Sequence, residues 1–332
     1  MYGRRVRPRG GNLPFFLSDL EYYVANSSGL NRTGVLSRIT VAAITAALVG
    51  TTTAAVAADA PQSAAAVKPT TTAPAASAAS TTAAAADAEL RFLGGVQGST
   101  LYYYEPNGSG GYEAREWATG TWGSVKNAQQ ADNDGDGIAD DTWIWYTSGT
   151  MAYAAGESSD TSFTTIGGGW NAYNKIVSPG QLGGGAAADI IARDASGVLW
   201  LYLGYGNGKV APRTKIGGGW NAYNQIAGVG DLSGDGKADI VAKDASGILW
   251  LYKGTGDWKA PFTGRTKIGG GWGSYNYLLG VGDLDWDGRS DLIARDTSGK
   301  LYRYSGTGSA GAPFKPRVVI GTSGWNTYRL MF

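Results

Sequence analysis

The sequence predicts an all-β fold made of repeated sheets, and three observations support this prediction. Similar segments open at Trp122, Trp170, Trp220, Trp272 and Trp325, so the repeat is 48 to 53 residues long. Gly is abundant (53 residues), and Trp (12) and Tyr (19) are also frequent, a mix that suits short strands joined by tight turns. A repeat of about 40 to 50 residues that is rich in short strands is typical of propellers and related arrays.

Each unit contains four predicted strands. In the unit opened by Trp220, the predicted strands are 223–229, 239–243, 248–253 and 266–268, and the turn 244–247 ends in a glycine, as hairpins often do. The units opened by Trp170 and Trp272 repeat this pattern, and the unit at Trp122 is a diverged copy. Four antiparallel strands per unit, with the last leading into the next unit, describe the blade of a β-propeller.

The two ends of the repeat region are predicted to complete one further blade. Residues 89–121 provide three predicted strands (89–93, 100–104 and 112–119), and the C-terminal segment 325–332 provides the missing one. A blade shared between the two ends hides the sheet edges and closes the ring. We therefore predict a five-bladed β-propeller over residues 89–332. An open arc, or blades completed by a second copy of the chain, is the alternative.

The chain ahead of residue 89 is predicted to hold a leader and a linker. Within residues 1–57, arginines precede an apolar h-region at 39–50, and Ala55–Ala57 offers a small-residue cleavage site, which together indicate a secretory signal peptide. An uncleaved anchor is the alternative, but the apolar run is shorter than the roughly 20 residues that span a bilayer. Residues 58–88 are nearly all Ala, Thr, Ser and Pro, which predicts a disordered linker. The predicted location is extracellular, and the true start codon stays open.

Composition excludes several function classes. The chain has no Cys and no His, so thiol nucleophiles, thiolate zinc sites and imidazole catalysis are removed. Of 28 basic and 27 acidic residues, six arginines and two acids lie in the leader, which leaves 22 basic and 25 acidic residues after it. A slightly acidic folded region has no electrostatic footprint for nucleic acid.

Acidic loops recur inside the units. Two loops have the pattern D-x-D-x-D-G-x-x-D, and a third has Ser in place of one Asp. Alternating carboxylates can converge on one centre when a glycine allows the bend, as Ca²⁺ requires. The candidate metal ligands are Asp132, Asp134, Asp136 and Asp140; Asp231, Ser233, Asp235 and Asp239; and Asp283, Asp285, Asp287 and Asp291.

Two further features of these loops limit the interpretation. An EF-hand needs Glu at position 12, where this chain has Trp143, Ala242 and Ala294. The corresponding loop of the Trp170 unit keeps only Asp189, so we expect no metal there. The alternative for all three acidic loops is that their acids are solvated turn residues.

The acidic loop inside a blade-sized repeat closely resembles the FG-GAP/VCBS family of calcium-binding propeller repeats, as found in integrin α-chain heads and many secreted bacterial proteins. The resemblance covers residues 89–332. It implies Ca²⁺ at the three loops. We expect the role of the metal to be structural, since a full oxygen cage leaves little room for a substrate and metal binding is coupled to folding.

Aromatic and amide side chains also recur at one place in consecutive units, each after Gly-Gly-Gly. Aromatic faces with hydrogen-bonding partners suit sugar rings, and weak identical sites gain strength through avidity. The arrangement looks like the propeller lectins, so we predict a multivalent carbohydrate-binding module. The alternative is that these aromatic rings only pack between blades. The candidate ligand-binding residues are Trp170, Tyr173 and Asn174; Trp220, Tyr223 and Asn224; and Trp272, Tyr275 and Asn276.

Two other functions stay open on the sequence. One is a protein-interaction or targeting subunit of a secreted bacterial assembly or toxin, docking to a cell-surface or wall component. The other is a polysaccharide-active glycosidase, which needs two facing carboxylates. Its candidates Glu105, Glu113, Glu116 and Glu157 form no convincing pair in the sequence. We therefore predict a binding module that is neither an enzyme nor embedded in a membrane.

Overall fold

The computed structural model describes residues 89–156 and 163–332. The predicted leader (1–57) and linker (58–88) lie outside the described residues, so both stay predictions. The strands are β1 (Leu93–Gln97), β2 (Thr100–Tyr104), β3 (Glu116–Thr119), β4 (Val125–Ala131), β5 (Asp141–Tyr146), β6 (Met151–Ala154), β7 (Thr164–Gly167), β8 (Tyr173–Gly180), β9 (Asp189–Asp194), β10 (Leu199–Tyr202), β11 (Thr214–Gly217), β12 (Tyr223–Gly230), β13 (Asp239–Asp244), β14 (Leu249–Tyr252), β15 (Thr266–Gly269), β16 (Tyr275–Gly282), β17 (Asp291–Asp296), β18 (Leu301–Tyr304), β19 (Val318–Gly321) and β20 (Leu330–Met331). One-turn 3₁₀ helices precede the first strand of each sheet, at Trp122–Ser124, Trp170–Ala172, Trp220–Ala222, Trp272–Ser274 and Trp325–Thr327.

These strands form five four-stranded antiparallel sheets, which confirms the predicted five-bladed propeller. Blade 1 is β4–β7, blade 2 is β8–β11, blade 3 is β12–β15 and blade 4 is β16–β19. Blade 5 has the order β20-β1-β2-β3, so the C-terminal strand completes the sheet that the N-terminal strands begin. In the described parts of the chain, none of the helices has the length and hydrophobicity of a transmembrane span.

The hairpin between the second and third strands of a blade shows how the sequence specifies these sheets. In blade 3, the Asp244 carboxylate accepts hydrogen bonds from the Trp250 indole N–H and from the backbone N–H groups of Ile248 and Ser246. The bond from Trp250 is the main cause that lowers the pKa of Asp244. Gly247 follows at φ 73°, a backbone conformation that favours glycine. The Asp244 side chain therefore holds the turn and also orients Trp250 on the third strand.

The cores lie between neighbouring blades. In one cluster, Leu199 and Leu201 of blade 2 pack with Trp220, Ile226 and Ile240 of blade 3. The tryptophan that opens each unit thus fills the space between two twisted sheets, where its large ring buries the most area.

The C-terminal tail closes the ring. Phe332 exchanges both backbone hydrogen bonds with Gly94, at 2.7 and 3.0 Å. Its buried ring stacks on Trp122 of blade 1, with centroids 5.3 Å apart and planes 6° from parallel. A Cβ on Gly94 would collide with the Phe332 ring, so this position requires glycine. Arg329 adds hydrogen bonds to carbonyls of Trp122 and Val125. The last residues therefore join blade 5 to blade 1.

The predicted first strand at 89–93 is wrong. The strand begins at Leu93, and the residues before it bridge two acidic loops instead. Leu90 donates its N–H to Gly137 O (2.8 Å) and accepts from Ala139 (2.9 Å), while Glu89 O accepts the Asp283 N–H (3.0 Å). The backbone of Glu89 and Leu90 therefore bonds to loops of blades 1 and 4 instead of extending the sheet.

Candidate functional site

The acidic loops join the first and second strands of blades 1, 3 and 4. In blade 3, the Asp231 carboxylate accepts the backbone N–H groups of Gly234 (2.7 Å), Asp235 (3.2 Å) and Gly236 (2.7 Å). Asp132 and Asp283 accept equivalent loop N–H groups in the other two blades. The first aspartate of each loop therefore folds the loop around its own carboxylate.

The structure brings the first three predicted ligands of both full loops together. Carboxylate oxygens of Asp132, Asp134 and Asp136 lie within 4.8 Å of one another, and so do those of Asp283, Asp285 and Asp287. In blade 3, Ser233 Oγ lies 3.5 Å from Asp231 Oδ1. Hard oxygen donors in a bent loop are the donor set that Ca²⁺ prefers. The residues fit a calcium ion, and calcium stays a prediction.

The last aspartate of each loop holds the loop closed by accepting several backbone N–H groups. We call this aspartate the clasp. Asp239 is fully buried, and its carboxylate accepts N–H groups of Leu232 (3.1 Å), Ser233 (2.9 Å) and Gly254 (2.8 Å). Desolvation by burial raises the pKa of Asp239 to about 6, and that of Asp291, its equivalent in blade 4, to about 7. Asp189 makes the same three types of bond in blade 2, whose loop has no other acid. This position closes the loop whether or not the other carboxylates are present.

In blade 1 the clasp position is Asp141 rather than Asp140. Asp141 begins β5 and accepts the Gly156 N–H (3.1 Å), as Asp189, Asp239 and Asp291 accept the glycine fifteen residues further on. The loop of blade 1 is one residue longer, so its ninth position, Asp140, falls just before the strand. Burial and the carboxylates of Asp141, Asp136 and Asp134 raise the pKa of Asp140 to about 6, so it faces the same cluster. Sequence reasoning missed Asp141, although the strand it begins aligns with the other second strands.

The two full loops differ in their neighbouring cations. In blade 4, the buried Arg303 lies 3.1 Å from Asp285, and Lys315 lies 2.7 Å from Asp287. Arg303 stands where blades 2 and 3 have Leu201 and Leu251. Among residues 89–156 and 163–332, no lysine or arginine forms an ion pair with the acids of the blade 1 loop.

This difference in charge predicts different metal binding. Like charges at close range repel unless a cation compensates them. The blade 4 loop carries its own cations, whereas the acids of the blade 1 loop form no ion pair among the described residues. The blade 3 loop is intermediate in charge compensation, since Lys253 lies 3.8 Å from Asp235. We therefore expect the blade 1 loop to bind Ca²⁺ more tightly than the blade 4 loop.

Removing the clasp of blade 2 is expected to destabilise the propeller without any change in metal binding. Asp189→Ala leaves buried N–H groups at Leu182 and nearby without an acceptor, at about 1–3 kcal/mol for each group that stays unsatisfied. Urea denaturation of Asp189→Ala measures the loss. Gln181→Ala, at the first position of the same loop, is the control and is expected to change the unfolding free energy by less than about 0.5 kcal/mol. An unchanged midpoint for Asp189→Ala would contradict the clasp.

The predicted Trp and Tyr ligands are buried. The side chains of Trp170, Trp220 and Trp272 are only 6–7% exposed, and each is within 5.6 Å of the tyrosine three residues on. Asn174 and Asn276 are exposed, and each accepts a hydrogen bond (2.8 Å) from an arginine of its own blade, Arg193 or Arg295. Asn224 is exposed as well. The ring positions therefore pack between blades, and their involvement in ligand binding stays a prediction.

Sequence reasoning missed the arginine that completes each set. We define the arginine–tyrosine group as the opening Trp, the Tyr three residues on, the Tyr that ends the third strand, and the Arg before the fourth strand. In blades 2, 3 and 4 the signal was the repeated Arg-Thr or Arg-Val before the outer strand. The four groups are Trp170, Tyr173, Tyr202 and Arg213 in blade 2; Trp220, Tyr223, Tyr252 and Arg265 in blade 3; Trp272, Tyr275, Tyr304 and Arg317 in blade 4; and Trp325, Tyr328, Tyr104 and Arg115 in blade 5.

The geometry of these groups is nearly constant. The two tyrosine hydroxyls lie 2.5–2.7 Å apart, and the Trp and second Tyr ring centroids lie 4.6–4.8 Å apart. Each arginine is exposed, donates Nη1 to a tyrosine hydroxyl, and lies 4.0–4.5 Å over a further aromatic ring. In blade 3 that ring is Trp250. Burial, followed by the bond between the hydroxyls, raises the pKa of Tyr252, so the phenol stays neutral.

A cavity of about 540 Å³ opens beside the group of blade 3. Its walls include Trp220, Tyr223, Tyr252, Phe262 and Arg265, together with Gly219 of the crossover from blade 2. A volume of 300–1,000 Å³ with aromatic walls and few polar groups is usual for small-molecule sites. The arrangement can hold a planar or cyclic ligand against exposed guanidinium N–H donors.

The described residues of blade 1 do not form this group. Val125, Ala154 and Phe163 occupy the positions of the two tyrosines and the arginine. Trp122 instead contacts Phe163 and the tail residue Phe332. The interface that closes the ring is therefore apolar, and four of the five blades carry the polar group.

The glutamates that the sequence left as glycosidase candidates come together in part. Burial and the charges of Glu116 and Glu113 raise the pKa of Glu105, so these three lie close to one another in blade 5. Glu157 lies outside the described residues.

Comparison with known proteins identifies the repeat. Residues 187–242 match the FG-GAP-like repeat, a stretch that runs from the end of the blade 2 loop through the acidic loop of blade 3 into β13. No curated protein sequence matches the chain.

Solved structures resemble the chain at low identity. The BP39L lectin from Burkholderia pseudomallei has 15% identity and a TM-score of 0.42 over 71% of each chain. A mutant of AofleA from Arthrobotrys oligospora has 9% identity and a TM-score of 0.41 over 71% of this chain and 73% of its own. Prp20p from Saccharomyces cerevisiae has 10% identity and a TM-score of 0.34 over 68% of this chain and 59% of its own. Likenesses at this level do not extend to any ligand. Together, the sheets and the matched repeat show that the chain is a five-bladed β-propeller with an FG-GAP-like repeat.

Proposed function

We propose that the chain is a secreted, calcium-stabilised and multivalent module that binds carbohydrate between its blades. The observation that carries this proposal is the fourfold recurrence of one arginine–tyrosine group, with a cavity of about 540 Å³ beside the copy in blade 3. The partly exposed rings of Tyr252 and Phe262 can meet the apolar face of a sugar ring, and the Arg265 guanidinium offers donors to its oxygens. The leader supports secretion, and the converging carboxylates support calcium.

Exposed aromatic side chains suggest a second candidate, docking to a protein of a cell surface or secreted assembly. Trp117 (68%), Tyr205 (62%) and Trp286 (61%) are large aromatic side chains that are mostly exposed. Exposed aromatics are enriched at the centres of protein interfaces. Under this alternative, the arginine–tyrosine groups would be structural, and the partner would contact the loops.

A glycan array on the calcium-loaded full chain distinguishes the two functions. Under the proposal, at least one glycan class binds, and Arg265→Ala weakens binding. Replacing Arg115, Arg213, Arg265 and Arg317 together is expected to lower avidity by about 10²-fold or more, because linked weak sites multiply. Lys267→Ala, an exposed charge on β15, is the control and should bind as the unmodified chain does. If no glycan on the array binds, the result contradicts carbohydrate binding and favours the protein-docking function.

A further inference from the structure

We propose that the pocket between blades 2 and 3 selects an anionic saccharide, one that carries a carboxylate or a sulfate. This inference rests on the proposed carbohydrate function and names the class of sugar that this one pocket takes. It begins from the charged residues of the pocket. Arg265 and Lys259 line the cavity, and no aspartate or glutamate among the described residues does.

Both cations are available to a ligand. Arg265 is exposed and uses Nη1 on the Tyr223 hydroxyl, a bond that raises the pKa of Arg265 and keeps the guanidinium charged. Lys259 is exposed, with Nζ 5.5 Å from the Trp258 ring centroid. Within residues 89–156 and 163–332, neither side chain forms an ion pair with a carboxylate. The carboxylate whose charge couples to Arg265, that of Asp244, is already occupied by Trp250 and two backbone N–H groups.

The hydrogen-bonding capacity of the side chains points the same way. The Tyr223 and Tyr252 hydroxyls bond to each other at 2.6 Å, and Tyr223 also accepts from Arg265. The remaining charged groups at the cavity only donate, since guanidinium and ammonium have no acceptor. A neutral sugar hydroxyl must also donate its own proton, whereas a carboxylate or sulfate only accepts. An oxyanion therefore matches this pocket better, and charge-assisted bonds to it are shorter and stronger.

Two of the other three arginine–tyrosine groups have different charged neighbours. In blade 5, Arg115 lies between Glu113 and Glu116 in the sequence, and in blade 4 the loop lysine, Lys315, is paired with Asp287. In the blade 3 pocket the group has a second cation beside it, Lys259, which forms no ion pair among the described residues. Selection of an anion is therefore expected at this pocket rather than at the groups of blades 4 and 5.

Calorimetric titration of the calcium-loaded full chain with matched sugars tests the inference. One arm compares a galacturonate oligosaccharide with its methyl ester, and the other compares galactose 6-sulfate with galactose. The charged member of at least one pair is expected to bind about tenfold or more tightly, as one well-formed interaction of about 1.4 kcal/mol provides. Raising the salt concentration is expected to reduce that preference. The arm that responds identifies which oxyanion the pocket takes.

Variants assign the preference to this pocket. Arg265→Ala and Lys259→Ala are each expected to reduce the charged-to-neutral ratio, and Arg265→Lys is expected to retain part of it because the charge stays while the fork is lost. Lys267→Ala is the control outside the cavity. Lys259 is exposed on a loop, so Lys259→Ala keeps the test valid even if Arg265→Ala unfolds. Equal binding of charged and neutral sugars would overturn the inference and leave the carbohydrate function intact. Failure of every sugar, here and on the array, would overturn both.

Discussion

Phe332→Ala is expected to lower the unfolding free energy of the propeller by about 3–5 kcal/mol, the usual cost of truncating a buried aromatic ring. The ring is 4% exposed and stacks on Trp122 across the joint between blades 5 and 1. Because domains are stable by only about 5–15 kcal/mol, this loss is a large part of the total. The midpoint of urea denaturation of the full chain measures it.

A matched surface change keeps this prediction specific. Val319 on the outer strand β19 is 49% exposed, so Val319→Ala is expected to change stability by less than about 0.5 kcal/mol. If Phe332→Ala unfolds at the same urea concentration as the unmodified chain, the tail does not hold the ring closed.

Chelation of calcium is expected to destabilise the full chain by about 4 kcal/mol when the ion is present at about 1,000 times its dissociation constant. The blade 1 loop should account for most of this response, because no cation is paired with its acids in the part of the chain that the structure describes. Melting curves with and without chelator measure the difference. Asp134→Asn is expected to remove most of the response, and Asp285→Asn is expected to leave most of it.

Arg303→Leu provides the converse test. Blades 2 and 3 have leucine at the equivalent position, so the fold accepts this side chain there. The change removes the cation that pairs with Asp285 in the blade 4 loop. The chelator response is expected to increase in this variant. A melting temperature that is indifferent to chelator in every variant would contradict calcium at these loops.

The tryptophan spacing, the strand pattern of the repeat and its incomplete first unit together predict the blade count, the four strands per blade and the closing tail, because each blade repeats one local pattern and sheet edges must be paired. Asp140 shows where such a pattern stops being informative. The motif fixes the ninth position, but the longer loop of blade 1 moves the clasp to Asp141, and only strand pairing reveals this.

Long-range contacts account for the rest of what the sequence could not show. Arg303 reads as an ordinary strand residue, yet it reaches a carboxylate eighteen positions away in the chain. The space for its guanidinium comes from blade 5, where a Cβ on Gly110 would collide with Nη1. The arginine–tyrosine group was hidden for the same reason, since Arg265 and Tyr223 are 42 residues apart.

The bridge made by Glu89 and Leu90 has a mechanical consequence. These residues are where the chain that precedes the propeller enters it, and they hydrogen-bond to the acidic loops of blades 1 and 4 before the first strand begins. Tension on the preceding chain would reach those two loops first and pass into two blades at once. An ion that stiffens the blade 1 loop would then also strengthen the attachment of the propeller to the chain that precedes it.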